Sequence, residues 1–584
     1  MKPSDLPDPP STEEARPRDA FLHAAWARLT HGISPIAVAA AYLDWCAHLV
    51  ASPGKQQELV EKAVRKWMRL ALYCATAADP AARPAIEPLP QDRRFAHPDW
   101  RYWPFNVLQQ SFLFAQQWLW NATTGVRGVS RHHEMLVTFM LRQWLDVSSP
   151  SNFPFTNPRV LRETVCSGGL NLAHGAAHWC EDVLRAVGNR PPVVADGYEV
   201  GRNLATTPGQ VIYRNALIEL IQYAPATPSV RPEPILIVPS WILKYYVLDL
   251  SPERSLVAHL RERGYTVFMM SWKNPDAEDR DLGLEDYLRR GVRAAIDTIR
   301  RIVPDRRLHA AGYCLGGTML AIEASRQARE GEAVLATATL LAAELDFSEP
   351  GELGLFIDES QIAFLEDVMW LRGYLDGKEM AGAFTLLNTA DLVWSRMVED
   401  YLLGARRPGT ALDAWNSDAT RMPYRMHSEY LRRLYLDNAL ADGALEVDGR
   451  PVALGDIRVP LFIVATERDH ISPWRSVYKV HLLTDTEVTF VLASGGHNVG
   501  IVNPARAPAD GSNYRLATHG HDDRYVDPEL WCLQAPVSAG SWWDRWTDWL
   551  DTRSSAPVEP PTMGAAAAGL VPLCDAPGRY VHAG

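Results

Sequence analysis

Two rhythms of apolar residues divide this chain. Between Asp19 and Thr76 apolar side chains recur three and four positions apart, as at Leu59, Ala63, Trp67 and Leu70, which is the period of an amphipathic helix. A Pro-rich connector from Asp79 to Pro90 interrupts it, and the helical period returns from Phe105 to Leu145. Asn152-Phe-Pro-Phe-Thr-Asn-Pro158 reads as an extended, turn-rich segment ahead of another helix from Pro158 to Val165. No strand alternates with these helices, so residues 19–198 are expected to form a mainly helical domain. Residues 1–18, rich in Pro, Asp, Glu and Arg, offer little to bury and are expected to be disordered.

After Tyr198 the rhythm changes. Gln210-Val-Ile-Tyr and Ala216-Leu-Ile-Glu-Leu-Ile-Gln-Tyr223 read as a strand pair. Pro234-Ile-Leu-Ile-Val-Pro239 and Thr266-Val-Phe-Met-Met-Ser-Trp272 are unbroken apolar runs, expected of strands covered on both faces. Helical patterns over Ser255–Arg263 and Leu284–Ile302 separate them from a strand ending near Cys314, and Ala336–Leu345 is a further run. Residues 346–455 break the alternation, carrying Trp370, Trp394 and Trp415. It resumes with Pro460–Glu467, Thr489–Ser494 and a final amphipathic helix over Trp542–Leu550. Alternating strands and helices predict a parallel sheet with helices on both faces, so residues 199–584 are expected to be an α/β domain with a cap insertion over 346–455.

Composition narrows the function classes. With 58 basic against 70 acidic residues the net charge is −12, which argues against nucleic acid as a main partner. Seven scattered cysteines form no C-x-x-C or Cys/His cluster, so a reduced cytoplasmic protein without bound metal is expected. The N-terminus has no apolar core of a signal peptide, and no run is long enough to span a membrane; Ile33–Cys46 is interrupted by Pro35 and Asp44. The 20 tryptophans serve either an apolar binding surface or an aromatic-rich core.

The chemistry centres on Leu308-His-Ala-Ala-Gly-Tyr-Cys314-Leu-Gly-Gly-Thr318, where an apolar strand runs through Gly-x-Cys-x-Gly into a helical stretch. This is the layout of a nucleophile elbow of the α/β-hydrolase fold, with cysteine at the nucleophile position. The backbone there is pinched, so a Cβ at Gly312 or Gly316 is expected to collide with neighbouring chain. A helix N-terminus and a nearby imidazolium both favour a thiolate at Cys314. Such hydrolases order their triad as nucleophile, acid, histidine, with the last two in loops after late strands. After Pro460–Glu467 comes Asp469, and after Thr489–Ser494 comes His497 between Gly496 and Asn498. Asp346, one strand earlier, is the rival acid and His470 the rival base. The oxyanion hole is expected to use the backbone N–H groups of Leu315 and, in the loop after Pro234–Pro239, Trp241.

From about Asp92 to Tyr580 the chain resembles the polyhydroxyalkanoate synthase family, and most closely its single-chain, short-chain-length members. The resemblance is carried by Asp92-Arg-Arg-Phe, Asn152-Phe-Pro-Phe-Thr-Asn-Pro and Val200-Gly-Arg-Asn-Leu-Ala-Thr-Thr-Pro-Gly209. Further segments are Lys244-Tyr-Tyr-Val-Leu-Asp-Leu250, Ser271-Trp-Lys-Asn-Pro-Asp276, Gly312-Tyr-Cys-Leu-Gly-Gly317, Leu345-Asp-Phe-Ser348, Asp391-Leu-Val-Trp394, Trp415-Asn-Ser-Asp418 and Gly540-Ser-Trp-Trp543. It implies a helical N-terminal domain, an α/β-hydrolase domain with an inserted cap, and a Cys314–Asp469–His497 triad. The implied reaction polymerises (R)-3-hydroxyacyl-CoA into a growing polyester with release of coenzyme A and no resident cofactor. The implied setting is a homodimer at the surface of cytoplasmic polymer granules. A cysteine-dependent thioesterase or depolymerase is the alternative. Two departures stand out: Val238-Pro-Ser240-Trp241-Ile-Leu243-Lys244 replaces the family's Val-Pro-Pro-Cys-Ile-Asn-Lys, and Ser494-Gly-Gly-His497 replaces Ser-Gly-His.

Overall fold

The computed structural model describes residues 12–30, 32–89, 92–380, 382 and 390–583. Its backbone packs as two compact units. One contains Met1–Ala25, Ala195–Met380 and Thr410–Gly584, the other Trp26–Val194 and Ala381–Gly409.

Helix α1 (Thr12–Thr30) begins inside the stretch expected to be disordered. Glu and Arg propagate a helix almost as readily as Leu, so the composition that argued for disorder does not oppose a helix that continues into Phe21 and beyond. Residues 1–11 lie outside the described residues.

The second unit holds α2 (Pro35–Val50), α3 (Pro53–Cys74), α4 (Phe105–Thr123), α5 (Arg131–Val147), α6 (Pro158–Cys166) and α7 (Leu170–Val187). Its helix starts are written locally. Ser34 Oγ accepts from Ala37 N at 3.3 Å, Ser130 Oγ from His133 N at 3.2 Å, and Asn157 Oδ1 from Arg159 N at 3.0 Å. Within α3, Leu59 and Tyr73 are buried while Trp67, spaced with Leu59 in the same helical period, is exposed. The helical unit also takes in part of the segment expected to be one cap. His178 Nδ1 meets Asp400 O at 3.0 Å, Arg406 Nη2 donates to Asp182 Oδ2 at 2.7 Å, and Arg159 pairs with Glu399. A Cβ on Gly175 would fall 1.8 Å from Tyr401 O, so glycine is what lets α7 approach this backbone.

The first unit is built on one eleven-stranded sheet: β1 (Gly209–Arg214), β2 (Ile218–Tyr223), β3 (Arg231–Val238), β4 (Tyr265–Trp272), β5 (Leu308–Tyr313), β6 (Leu335–Leu341), β7 (Leu461–Thr466), β8 (Val488–Ala493), β9 (Asn513–His519), β10 (Val537–Ala539) and β11 (Cys574–Asp575). Its order is β10-β9-β8-β7-β6-β5-β3-β4-β2-β1-β11. The central strands from β8 across to β4 run parallel; β9 and β10 at one edge, and β2, β1 and β11 at the other, are antiparallel. The all-parallel expectation therefore covers only the centre. The antiparallel strand β9, Asn513-Tyr-Arg-Leu-Ala-Thr-His519, is half-exposed and lacks the apolar run that marks its buried neighbours.

Beside the sheet lie α8 (Leu315–Glu330) and α9 (Trp543–Asp551). The tryptophans around α9 are core and also anchors. Trp546 Nε1 donates to Thr339 Oγ1 on β6 at 2.9 Å, Trp542 Nε1 to Gly500 O at 3.0 Å and Trp543 Nε1 to Ile501 O at 2.9 Å. Those last two carbonyls belong to the turn that follows His497. Burial of the large rings and pairing of their N–H groups thus hold the histidine loop against the sheet.

Candidate active site

Cys314 occupies the pinch between β5 and α8 at φ +53° and ψ −125°, a left-handed setting that costs a non-glycine residue about 1–3 kcal/mol. Surrounding structure enforces it. Cys314 N donates to Leu341 O on β6 at 2.8 Å. A Cβ on Gly312 would lie 2.4 Å from Gly317 Cα, and one on Gly316 would lie 2.1 Å from Val238 O. Both glycines are therefore required by close approach, as the motif predicted. Leu315 N–H opens α8, in the first turn, where N–H groups have no intrahelical acceptor. The loop carrying Trp241 borders the same elbow: the Gly316 Cβ position is also 2.7 Å from Pro239 O. Trp241 is buried, its ring centroid 5.5 Å from that of Tyr287, 6.2 Å from Trp272 and 6.5 Å from Tyr430. The departure at Ser240–Leu243 thus fills an aromatic cluster, and Thr420 ties it down by donating to Trp241 O at 2.5 Å.

His497 Nδ1 pairs with Asp469 Oδ2 at 2.7 Å, both side chains buried. The other oxygen of Asp469 accepts from Ile471 N at 2.9 Å and Ser472 N at 2.8 Å, which fixes the carboxylate's orientation. Burial alone pushes the Asp469 pKa up, but His497 and these amide donors overrule it and hold the carboxyl below its usual range. On His497, burial opposes the charge; the Asp469 carboxylate, then Cys314, outweigh it and raise the imidazole well above its usual value. Cys314 thus acts on the imidazole that Asp469 orients, and the three residues that sequence order singled out form one electrostatic cluster.

The rival acid stands elsewhere. Asp346 Oδ1 accepts from Ser348 N at 2.8 Å and faces Lys479 Nζ at 3.5 Å.

Three features escaped the sequence reading. Tyr313 donates to Asn498 Oδ1, placing its ring 5.5 Å from that of His497. Tyr430 donates to Tyr435 at 3.0 Å, and both phenols respond electrostatically to Cys314. Glu344 lies buried just past β6, and Asp469, Cys314 and His497 are among the groups acting on it. The signal was present, since Glu344 is the one charge in the apolar run from Ala336 to Leu345. Among the described residues, no group of three or more His, Cys, Asp or Glu could hold a metal ion.

Comparison with known proteins extends this picture. A family model described as the N-terminus of poly-beta-hydroxybutyrate polymerase matches residues 91–260, and a second N-terminal model of that polymerase matches residues 13–55. The alpha/beta hydrolase fold model matches residues 233–504. The chain is 41% identical to a poly(3-hydroxyalkanoate) polymerase of Methylorubrum extorquens over 503 residues, covering 85% of this chain and 82% of that protein. It is 35% identical to a poly(3-hydroxyalkanoate) polymerase subunit of Cupriavidus necator over 580 residues, covering 97% and 96%. Among solved structures, a soluble variant of monoglyceride lipase from Saccharomyces cerevisiae aligns with a TM-score of 0.35 at 10% identity, covering 62% of this chain and 99% of that one.

Proposed function

The chain belongs to the poly(3-hydroxyalkanoate) polymerase family, and on that footing we propose that it transfers (R)-3-hydroxyacyl units from coenzyme A to a growing polyester through a thioester on Cys314. The observation that carries this reading is the buried His497–Asp469 pair, on which Cys314 acts electrostatically from a strained elbow, in a member of an acyltransferase family.

The steps follow from the charges. The Cys314 thiolate, paired with imidazolium at His497, attacks the thioester carbonyl of the acyl-CoA. The backbone N–H groups of Leu315 and Trp241 receive the oxyanion. Collapse breaks the bond to sulfur of coenzyme A, leaving acyl-Cys314 and a coenzyme A thiolate that takes the His497 proton. Acylation also removes one of the negative partners that raise the His497 pKa, so the imidazole gives up that proton more readily. Neutral His497, oriented by Asp469, then accepts the proton of a 3-hydroxyl group, whose oxygen attacks acyl-Cys314. An ester forms, the Cys314 thiolate leaves, and the imidazolium–thiolate pair is restored. One thioester replaces another in the first step, so little energy is lost before the ester is made. Coenzyme A arrives with the substrate, and no resident cofactor takes part.

We further read the protein as a homodimer that works in the cytoplasm at the polymer granule. Support comes from the helical unit, whose α3 exposes Val60, Val64, Trp67, Met68 and Leu72 and whose α7 exposes Trp179, Leu184 and Val187. Among the described residues no single helix is long and apolar enough to cross a membrane.

The test is coenzyme A release together with polymer analysis from 3-hydroxybutyryl-CoA and a longer homologue. Polymer from wild type and none from Cys314→Ala is the expected result. Free hydroxy acid in place of polymer would return the hydrolase reading.

A further inference from the structure

We propose that Glu344 is a specificity-determining residue whose buried carboxyl group receives the 3-hydroxyl of the acyl unit carried at Cys314. The assignment rests on the reading of Cys314 as the acyl carrier.

The backbone of Glu344 is clamped to the elbow. Its carbonyl accepts from Thr318 Oγ1 in the first turn of α8 at 2.8 Å. The methyl group of Ala343 lies 2.5 Å from where a Cβ on Gly317 would stand, so this strand end presses directly on the helix that follows Cys314. Glu344 is only 3% exposed, and its Oε1 is buried with no hydrogen-bond partner among the described residues. An acceptor shut away from water without a partner is an energetic loss that folding alone does not recover. A ligand that brings a donor recovers it.

The surroundings say which ligand. Cys314 acts on Glu344 from the elbow, Asp469 from the loop after β7, His497 from the loop after β8 and Asp346 from its own loop. Tyr430 and Tyr435 of the cap feel it in turn. Burial first, then Asp469 and Cys314, push its pKa well up, which favours the protonated carboxyl. A neutral acid offers both an acceptor and an O–H donor, which is the complement of an alcohol. A simple alkanoyl chain would leave Oε1 unpaired, whereas a 3-hydroxyacyl chain carries the hydroxyl that satisfies it. Sites built around a substrate hydroxyl discriminate against the analogue lacking it more sharply than apolar pockets sort by size.

The experiment measures the second-order rate constant of the acylation burst, the first coenzyme A released per Cys314, from 3-hydroxybutyryl-CoA and from butyryl-CoA, using the full chain. The variants are Glu344→Leu, Glu344→Met and Glu344→Gln. The ratio of the two substrates is expected to fall roughly tenfold or more in Glu344→Leu and Glu344→Met, chiefly through the hydroxylated substrate. Glu344→Gln, which keeps an amide oxygen at the same place, is expected to hold the ratio within about threefold of wild type. Both apolar variants remove an unpaired buried oxygen and should melt no lower than wild type. A structural role would depress both substrates together and leave the ratio unmoved. An unchanged ratio in either active apolar variant overturns the assignment. Absence of coenzyme A release from either substrate in wild type would instead overturn the reading of Cys314 on which it rests.

Discussion

In the hydrolase unit β4 and β7 are buried along their whole lengths, and even its ionisable groups, His497, Asp469 and Glu344, are enclosed. In the helical unit α3 runs for 22 residues yet buries only Leu59 and Tyr73, leaving Trp67 70% exposed. The difference reflects what each does with its apolar surface. In the first it is consumed internally, and the energy so gained holds a strained cysteine and buried charges in place. In the second much of it is left outward, and the unit is tied instead by caps and ion pairs such as Arg94 with Asp92 and Asp146. Arg94 and its two carboxylates are largely enclosed, so their attraction is offset by the cost of taking the charges out of water. An outward apolar face on such a unit fits a surface that covers it.

That contrast can be broken at several points. The largest effect is expected at the proposed acyl carrier: Cys314→Ala should lower coenzyme A release by roughly a thousandfold or more, about 4 kcal/mol. It should leave thermal unfolding nearly unchanged, and activity within tenfold of wild type would remove Cys314 from the chemistry.

Close approach separates the two units next. Gly316→Ala and Gly175→Ala each drive a Cβ into a carbonyl, at 2.1 Å from Val238 O and 1.8 Å from Tyr401 O. Each should cost about 3 kcal/mol or more in thermal unfolding. Only the first should destroy the elbow, while the second should expose the backbone around Tyr401 to limited proteolysis. Equal melting of wild type and either variant would contradict the packing described.

Asp469→Asn should reduce turnover about a hundredfold, near 2.7 kcal/mol, by leaving the imidazole without its orienting charge. The pH dependence has a definite sign. The raised His497 pKa contributes stability below its unfolded value of about 6.5, and this is lost as pH rises through the folded value. The lowered Asp469 pKa contributes above about 3.9 and is lost as pH falls through its folded value. The stability gap between wild type and Asp469→Asn should therefore be widest at about pH 4–6.5 and narrow on both sides. A gap that keeps growing above neutral pH in urea titrations would refute the pairing.

The smallest effect on folding belongs to the helical surface. Trp67→Ser with Val64→Ser should shift stability by no more than about 0.5 kcal/mol, since both side chains are exposed. Association with polymer granules in a sedimentation assay should fall severalfold, with coenzyme A release from soluble substrate retained. Unchanged sedimentation would assign the apolar face to another partner.

Much of the site was legible in the order of residues. Gly312 and Gly316 announced a pinched backbone because only glycine survives there, and the bond at 2.8 Å from Cys314 N to Leu341 O shows the pinch in place. Asp469 and His497 were legible because strand ends are the places where an α/β sheet presents functional loops. Their rival Asp346 was equally well placed by that rule; its carboxylate bonds to Ser348 while Asp469 meets His497, which no spacing reveals. The exposure of Trp67 was not legible, because a three-and-four spacing with Leu59 and Ala63 marks a helix without saying which of its residues another element covers.

The sequence by itself determined the alternation of strand and helix, the elbow, the order of Cys314, Asp469 and His497 at strand ends, and the division into a helical and an α/β part. Those features rest on local chemistry: periodicity, glycine's missing Cβ, and capping side chains next to the amides they serve. Only tertiary structure decided that residues 390–409 pack with the helical unit, that the α9 tryptophans brace the histidine turn, and that Glu344 is buried just past β6. Each depends on groups far apart in the chain meeting in a space closed to water; that closure raises the Glu344 pKa, whereas the raised pKa of His497 is held against it by the Asp469 carboxylate.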